Sequence, residues 1–514
     1  MDKLANTIKN FKSRGFDLYP HQIEGIEWML LRESQRGNCG LLCDEPGLGK
    51  TVQICGLLHA NPQYTNLLIL PVNLIDQWKY TLERLLPNHS IYIHHGKDRL
   101  KTISLLKEKL HFPYCIVIST IQLASKDSCI QLYKWNRIII DEIHQIRNPK
   151  SVCFQSIKAI HAKFRWGMTG TPLHNTKDDL KTLYMFLFPT ITKVSDSDLE
   201  KLNSILIKRR KKEEIQHLQE LAKNIDYFEY ILNFRTSEER EIYIKIKESV
   251  SFKLKNILND DTLNNSQKMI VIFELIIRLR QASIHPSLSI NALKKNYETD
   301  LHFDDISTKF CKSLEIVKEK TSKKENTIIF CNFLEEMTQL QKFFKQNNIN
   351  SELYNGKLSL TQKKEVLEKF THPDTFTEFS KLDLLNLDIL NNIYSYIPTV
   401  LLIQIKSGGV GLNLQNFNNI IFNSPDWNPS NEVQAIARSH RMGQSRRVNI
   451  YHLLLKDQQE SFNTIDERII QVQTKKKLMI KKILMEATKD DILKHEEIQK
   501  AAKLSIRDYK TILS

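Results

Sequence analysis

Two short strings carry the residue types that phosphoryl chemistry requires. The first is Asp44-Glu45-Pro46-Gly47-Leu48-Gly49-Lys50-Thr51, which follows an apolar run ending at Leu42-Cys43. Gly47 and Gly49 leave the backbone free to turn its amides toward anionic oxygens, which side chains at those positions would obstruct. Lys50 can reach β- and γ-phosphates, and Thr51 can offer a hydroxyl to Mg²⁺. A helix starting near Lys50 would point its positive end at the same phosphates. The second string is Asp141-Glu142, at the end of the β-branched run Arg137-Ile138-Ile139-Ile140. Such a run suits a buried parallel strand, and ligands of open α/β sheets bind at the C-terminal ends of strands. There Asp141 can hold the Mg²⁺ shell while Glu142 orients or deprotonates an attacking water. Glycine-rich turns and surface Asp-Glu pairs are each common by themselves. In this order they form the two halves of a site that hydrolyses a nucleoside triphosphate, with one departure: Asp44 stands where the usual G-x-x-x-x-G-K-T pattern begins with Gly.

Two blocks of alternating elements surround these strings. From about Leu18 to Pro189, strand-like runs (Leu67 to Leu70, Cys115 to Ile118, Ile138 to Ile140) alternate with helical patterns, as in a parallel sheet. From about Ser204 to Ser289 the pattern is helical and charged, with no strand signal beyond Tyr230-Ile231-Leu232. Alternation resumes near Ser307, through Thr327 to Phe330, Val400 to Ile403 and Asn419 to Phe422. A chain of 514 residues is too long for one core, so an α/β fold with at least two domains is expected.

Composition narrows the partners. The net charge of +15 favours a polyanion, with nucleic acid the first candidate. The run Lys208-Arg209-Arg210-Lys211-Lys212 could serve nuclear import. With Glu213 and Glu214 following, a helical face near nucleic acid or solvent fits at least as well. Lys475 to Lys477, with Lys481 and Lys482, reads as a solvated helical face. Eight cysteines without a C-x-x-C pair argue against a zinc module and a disulfide framework, and so for a reducing compartment. His94-His95 has no partner at metal-ligand spacing. No apolar run approaches membrane-spanning length and the start Met1 to Asn6 lacks a signal-peptide profile, so neither membrane nor secretion is expected. Heavy use of Ile, Lys and Asn suits an AT-rich genome such as that of a large DNA virus.

With the blocks aligned, the chain resembles the Swi/Snf-type family of DNA-translocating ATPases in helicase superfamily two, from about Leu18 to Lys477. Leu18-Tyr19-Pro20-His21-Gln22 looks like the segment whose glutamine, Gln22 here, recognises adenine, which makes ATP the nucleotide. The loop from Asp44 to Thr51 matches the family's own variant, in which Asp replaces the first Gly, though Pro46 replaces the usual Met. Pro71 to Trp78 and Ser119-Thr120 look like DNA-contacting motifs. Asp141-Glu142-Ile143-His144 with Ile146 to Ser151 is similar to the magnesium-site motif, and Met168 to Asn175 to the coupling motif, with His174 where Gln is usual. Arg278-Leu279-Arg280-Gln281-Ala282 with His285-Pro286 matches a signature of the helical region. Ser407 to Leu414, Asp426-Trp427-Asn428-Pro429, Gln434 to Gln444 and Thr464 to Ile469 complete the order.

The resemblance implies two RecA-like lobes (residues 1–190 and 305–480), a helical region between them (191–304) and a helical tail (481–514). It implies Lys50, Glu142, Arg438 and Arg441 as catalytic residues. Gln22, Asp44, Glu45, Gly47, Leu48, Gly49, Lys50, Thr51 and Gly411 would bind ATP, with Thr51 and Asp141 on Mg²⁺. His144, Thr169, Gly170, Thr171 and Gln434 would couple the site to motion, and Trp78, Thr120, Lys406 and Ser407 would contact nucleic acid. Arginine suits the charge that builds as a γ-phosphate leaves, because its guanidinium is a rigid donor fork. Arg438 and Arg441 come from the second lobe, so they can act only when the lobes close, which would gate hydrolysis.

The implied function is an ATPase that translocates along double-stranded DNA and remodels or displaces DNA-bound protein. It would work in the nucleus or another DNA-containing compartment, such as a viral factory or virion. A strand-separating DNA or RNA helicase is the alternative within enzymes; His440-Arg441-Met442-Gly443-Gln444 speaks against it, because RNA-directed relatives end differently. A scaffold with vestigial hydrolysis is disfavoured by the retained Lys50, Asp141, Glu142, Arg438 and Arg441. Two departures remain. Gln404-Ile405 replaces small hydroxyl residues, and residues 371–398 read as a surface insertion without a function of its own.

Overall fold

In the computed structural model, the residues described are 2–35, 37–99, 101–102, 104, 114–173, 176–294, 301–370, 399–405 and 412–484. They form two compact units. The first runs to Lys223 and takes in the stretch beginning at Ile480; the second spans Asn224–Met479.

The first unit is built on seven strands: β1 (Cys39–Leu42), β2 (Thr65–Ile69), β3 (Ser90–Ile93), β4 (Cys115–Ser119), β5 (Trp135–Asp141), β6 (Ala162–Met168) and β7 (Ile207–Lys208). Their order is β3-β4-β2-β5-β6-β1-β7, and every pair is parallel. Central strands of such a sheet are covered on both faces, which is why β5 reads as an unbroken Ile138-Ile139-Ile140 run, fully buried. The register matters more than the count. Leu42 of β1 and Asp141 of β5 both pair with Met168 of β6. The loop after β1, the carboxylates after β5 and Thr169 after β6 therefore leave one sheet edge side by side.

The second unit holds β8 (Ile225–Asn233), β9 (Thr327–Cys331), β10 (Ser351–Tyr354), β11 (Val400–Gln404), β12 (Asn419–Phe422) and β13 (Val448–Lys456), ordered β10-β11-β9-β12-β13-β8 and again all parallel. Apolar clusters cover both faces of this sheet. A third cluster joins the helices Ser237–Asn259 and Asn265–Ile284 through Ile242, Tyr243, Ile246, Ile272, Ile276 and Leu279, with Leu455 and Ile469 from the same unit.

Two expectations change. Residues 191–304 do not form a region of their own, because two sheets divide them. β7 draws the stretch before Lys223 into the first unit, and β8 with the paired helices belongs to the second. The basic run from Lys208 is not a helical face: it begins in β7 and continues extended beside the loop after β1, with Arg210 and Lys212 buried. Ile480, Ile483 and Leu484, which belong to the first unit, pack on its core, while 485–514 lie outside the described residues, as does the insertion 371–398. No helix among the described residues is long and apolar enough to cross a membrane.

A buried charge cluster ties the first unit together. Arg137 on β5 grips Glu33 with two hydrogen bonds of 2.7 and 2.5 Å, and the Trp166 indole donates to the same carboxylate at 2.8 Å. Both charged side chains are essentially inaccessible. Removing one partner strands the other charge in a medium that solvates it poorly. Glu33→Leu is therefore expected to destabilise the protein by about 3–5 kcal/mol in urea unfolding, and Glu33→Leu with Arg137→Met to recover part of that loss.

Candidate nucleotide site

The loop after β1 turns twice through left-handed backbone, at Gly47 (φ 95°) and Gly49 (φ 79°), before the Lys50–Ala60 helix begins. The left-handed backbone of the second turn favours glycine, and a Cβ on Gly49 would also have to displace the Gln22 amide, whose nitrogen would lie 2.3 Å away. Gln22 is buried, accepts from the Tyr19 backbone amide at 3.1 Å and directs its amide at the Leu48 carbonyl, 3.4 Å away. His21 places Nε2 3.0 Å from the same carbonyl, and burial lowers its pKa. The residue that resembles an adenine reader thus packs directly on the phosphate loop. Beside it the rings of Tyr19 and His217 stack at 4.5 Å.

Lys50 donates from Nζ to the backbone carbonyl of Asp44 at 2.7 Å, so its ammonium rests at the head of the loop. The Asp44 side chain takes no part in lining the cradle. It is fully buried and pairs with Arg210 and Gln53. Glu45 accepts from the Lys212 amide at 2.8 Å. Pro46 packs on Gly170, where a Cβ would come within 2.6 Å of the proline ring, so the loop bears directly on the segment after β6.

At the end of β5, Asp141 accepts from the Trp78 indole at 2.9 Å and from the Glu142 amide at 2.9 Å. Burial, followed by the neighbouring Glu142 charge, pushes the Asp141 carboxyl up to about 6. Its two hydrogen-bond donors, the Trp78 indole and the Glu142 amide, are neutral, and the Lys50 charge only partly offsets the rise. That chemistry fits Mg²⁺, which Asp141 and Thr51 would hold. Glu142 adopts left-handed backbone (φ 49°), an unusual conformation for a residue with a side chain. His144 Nδ1 lies 3.2 Å from the Glu142 carboxylate and 3.0 Å from the Thr169 hydroxyl. Thr169 Oγ1 in turn accepts from the Thr171 amide at 3.1 Å, and the Thr169 amide donates to Leu42 at 3.2 Å. Phosphate loop, acid pair and the Thr169-Gly170-Thr171 segment are thus one connected constellation.

Two residues expected to contact nucleic acid have partners inside the first unit. Trp78 is buried and serves Asp141, and Thr120 is buried and caps the short helix that follows it. Lys406, Ser407, Gly411 and His174 lie outside the described residues. Arg438 and Arg441 follow the Pro429–Ile436 helix in the second unit, where Gln434 is buried. Burial, then the like charge of Arg438, lowers the Arg441 pKa. That helix is braced from within its own unit. Glu432 accepts from the Asp426 amide and from Gln473, each at 2.8 Å, and Arg280 donates to the Pro425 carbonyl at 2.8 Å. The helical-region signature and the Asp426-Trp427-Asn428-Pro429 string therefore meet in one buried network. Sequence reasoning missed Arg209 and Arg210 as parts of the nucleotide site. Arg209 donates to the carbonyls of Cys43 and Gly170 at 3.1 and 3.2 Å. The available signal was an acid, Asp44, in a loop whose chemistry needs none.

Trp78→Phe removes the indole donor from Asp141. The folded carboxyl titrates above its unfolded value, so its charged form prevails only above about pH 6. Loss of the donor should then cost about 1–3 kcal/mol at pH 7.5 and less at pH 5, as read by urea midpoints at the two values.

Comparison with known proteins gives the context. A model described as the SNF2-related domain matches residues 21–288, and one described as the helicase conserved C-terminal domain matches 308–385 and 386–443. An uncharacterized ATP-dependent helicase of Mycoplasma genitalium is 29% identical over 94% of this chain and 44% of its own length. The chromatin remodeling factor mit1 of Schizosaccharomyces pombe is 26% identical over 92% of this chain and 33% of its own. A probable global transactivator of Orgyia pseudotsugata multicapsid polyhedrosis virus is 27% identical over 94% of both chains. The chain thus spans less than half of the first two relatives and nearly all of the viral one. A solved Sulfolobus solfataricus SWI2/SNF2 ATPase core in complex with dsDNA aligns over 95% of this chain and 97% of that one, at 25% identity and a TM-score of 0.37. With more than half of its residues matched by the first of these models, the chain belongs to the SNF2-related family.

Proposed function

We propose that this chain is an ATP-dependent DNA translocase, which couples ATP hydrolysis to movement along duplex DNA and to remodelling or displacement of bound protein. The observation that carries the reading is the constellation at one sheet edge of the first unit. There Lys50 after β1, the acids Asp141 and Glu142 after β5 and Thr169 after β6 stand on three connected segments, and the chain belongs to the SNF2-related family.

In this reading Lys50 leaves the Asp44 carbonyl for phosphate oxygens. Asp141 and Thr51 would hold Mg²⁺, which would supply charge neutralisation at the phosphates. Glu142 orients the attacking water and takes its proton, while His144 relays the state of that acid to Thr169. Arg438 and Arg441 of the second unit stabilise charge on the departing phosphoryl group when the units close on nucleotide. Closure driven by nucleic acid bound to both units would turn hydrolysis into stepping. The work would be done in a DNA-containing compartment, which the chromatin and viral names among the relatives support.

ATP turnover measured with and without duplex DNA tests this directly. Stimulation by duplex is expected, and Glu142→Gln should lower it by about 10²–10⁴-fold, with Lys50→Ala also inactive. Displacement of a DNA triplex, without separation of a duplex fork, distinguishes translocation from strand separation. A wild-type protein whose turnover is indifferent to duplex DNA would sink the proposal.

A further inference from the structure

The basic run that begins at Lys208 has no role in the family's chemistry as read above, yet its centre, Arg210, is buried and hydrogen-bonded to four residues beside the nucleotide loop. Arg210 Nε donates to Asp44 Oδ1 at 3.0 Å, and Nη2 donates to Asp44 Oδ2 at 2.6 Å and to Gln53 Oε1 at 2.9 Å. Nη1 donates to the His21 carbonyl and to Glu24 at 3.2 Å. One guanidinium therefore joins three elements: the Pro20–Ser34 helix that carries Gln22, the loop at Asp44, and the Lys50–Ala60 helix through Gln53. Gln53 also donates to Asp44 at 2.9 Å, closing the ring.

The backbone repeats the connection. Cys43 donates to Lys208 at 2.7 Å and Glu45 donates to Arg210 at 3.0 Å. The chain beyond β7 thus runs along the loop as a splint, one residue past Asp44. With its side chain fixed in this way, Asp44 presents its carbonyl to Lys50, the contact the ammonium must exchange for phosphate. An acid in a loop that receives polyphosphate would repel it; buried against a guanidinium, this one is neutralised and turned into an anchor.

We infer that Arg210 is a positioning residue for nucleotide binding. Through Asp44 it sets the phosphate loop and Lys50, and through His21 it holds the adenine-side helix in register with them. The assignment rests on the site being a nucleotide site. Lysine cannot substitute, because one ammonium cannot span both carboxylate oxygens, an amide and a carbonyl in fixed directions.

The test is a double-mutant cycle with Arg210→Lys, Asp44→Asn and the combination, in the full chain. The readouts are titration with a fluorescent MgATP analogue, steady-state KM and kcat, and thermal unfolding. Each single variant should weaken nucleotide binding and raise KM by about tenfold or more, with kcat at saturation within about threefold of wild type. The double variant should be no worse than either single one, because both remove the same anchor. Asp44→Asn keeps the shape of the site and carries the test if Arg210→Lys does not fold. Folded variants that bind the analogue like wild type, losses that simply add, or loss of fold in both single variants would each overturn the assignment; the last would make the pair a structural bridge. A wild-type protein that binds nucleotide without hydrolysing it defeats the ATPase reading and leaves this comparison intact. A wild-type protein that binds none defeats both.

Discussion

The parallel pairing of Leu42 and Asp141 with opposite sides of Met168 is the constraint on which the rest of the first unit depends. Parallel strands deliver their C-terminal ends to one edge, so three segments far apart in the chain emerge as neighbours. The loop that holds Lys50, the acids at Asp141 and Glu142, and Thr169 need no long-range search to find one another. Once the sheet forms, local contacts finish the work: hydrogen bonds from Thr169 to Leu42 and between His144 and Thr169, the approach of His144 to Glu142, and the packing of Pro46 on Gly170.

Charge within this edge is arranged in two different ways. Asp44 is neutralised by Arg210 inside the protein, so it is permanently part of the scaffold. Asp141 is left with an indole and an amide, and burial raises its proton affinity. Two buried acids a few residues from the same sheet edge thus have opposite fates. The one with a guanidinium partner is structural, and the one without is the one a cation can claim.

The second unit shows the same economy around its arginines. The Pro429–Ile436 helix, from which Arg438 and Arg441 follow, is fixed by Glu432, Asp426 and Gln473, and the neighbouring Pro425 carbonyl by Arg280 of the paired helices. Deeper still, Lys309 and Asp466 form an inaccessible ion pair, and Asp466 also accepts from the Leu455 amide at 2.9 Å and the Ser283 hydroxyl at 3.1 Å. The strings at Arg278, Asp426 and Thr464 are widely separated in the chain, and the polar core of one domain accounts for all three.

The amino-acid sequence by itself determined the chemistry of the loop and the presence of two parallel-sheet blocks, not the order of their strands. Gly47, Gly49, Lys50 and Thr51 announce a phosphate loop, and the apolar Ile138 to Ile140 run ending in Asp141 announces a buried strand with an acid at its tip. These are local patterns, dictated by backbone freedom and by burial on both faces of a sheet. Tertiary structure alone decided the roles that depend on a partner. A basic run reads as a surface until β7 places it beside β1, and no local pattern foretells that the Trp78 indole meets Asp141 or that Asp44 meets Arg210 from far along the chain. Side-chain identity says what a group can donate or accept, while the partner it meets is set by packing between segments that no local pattern links.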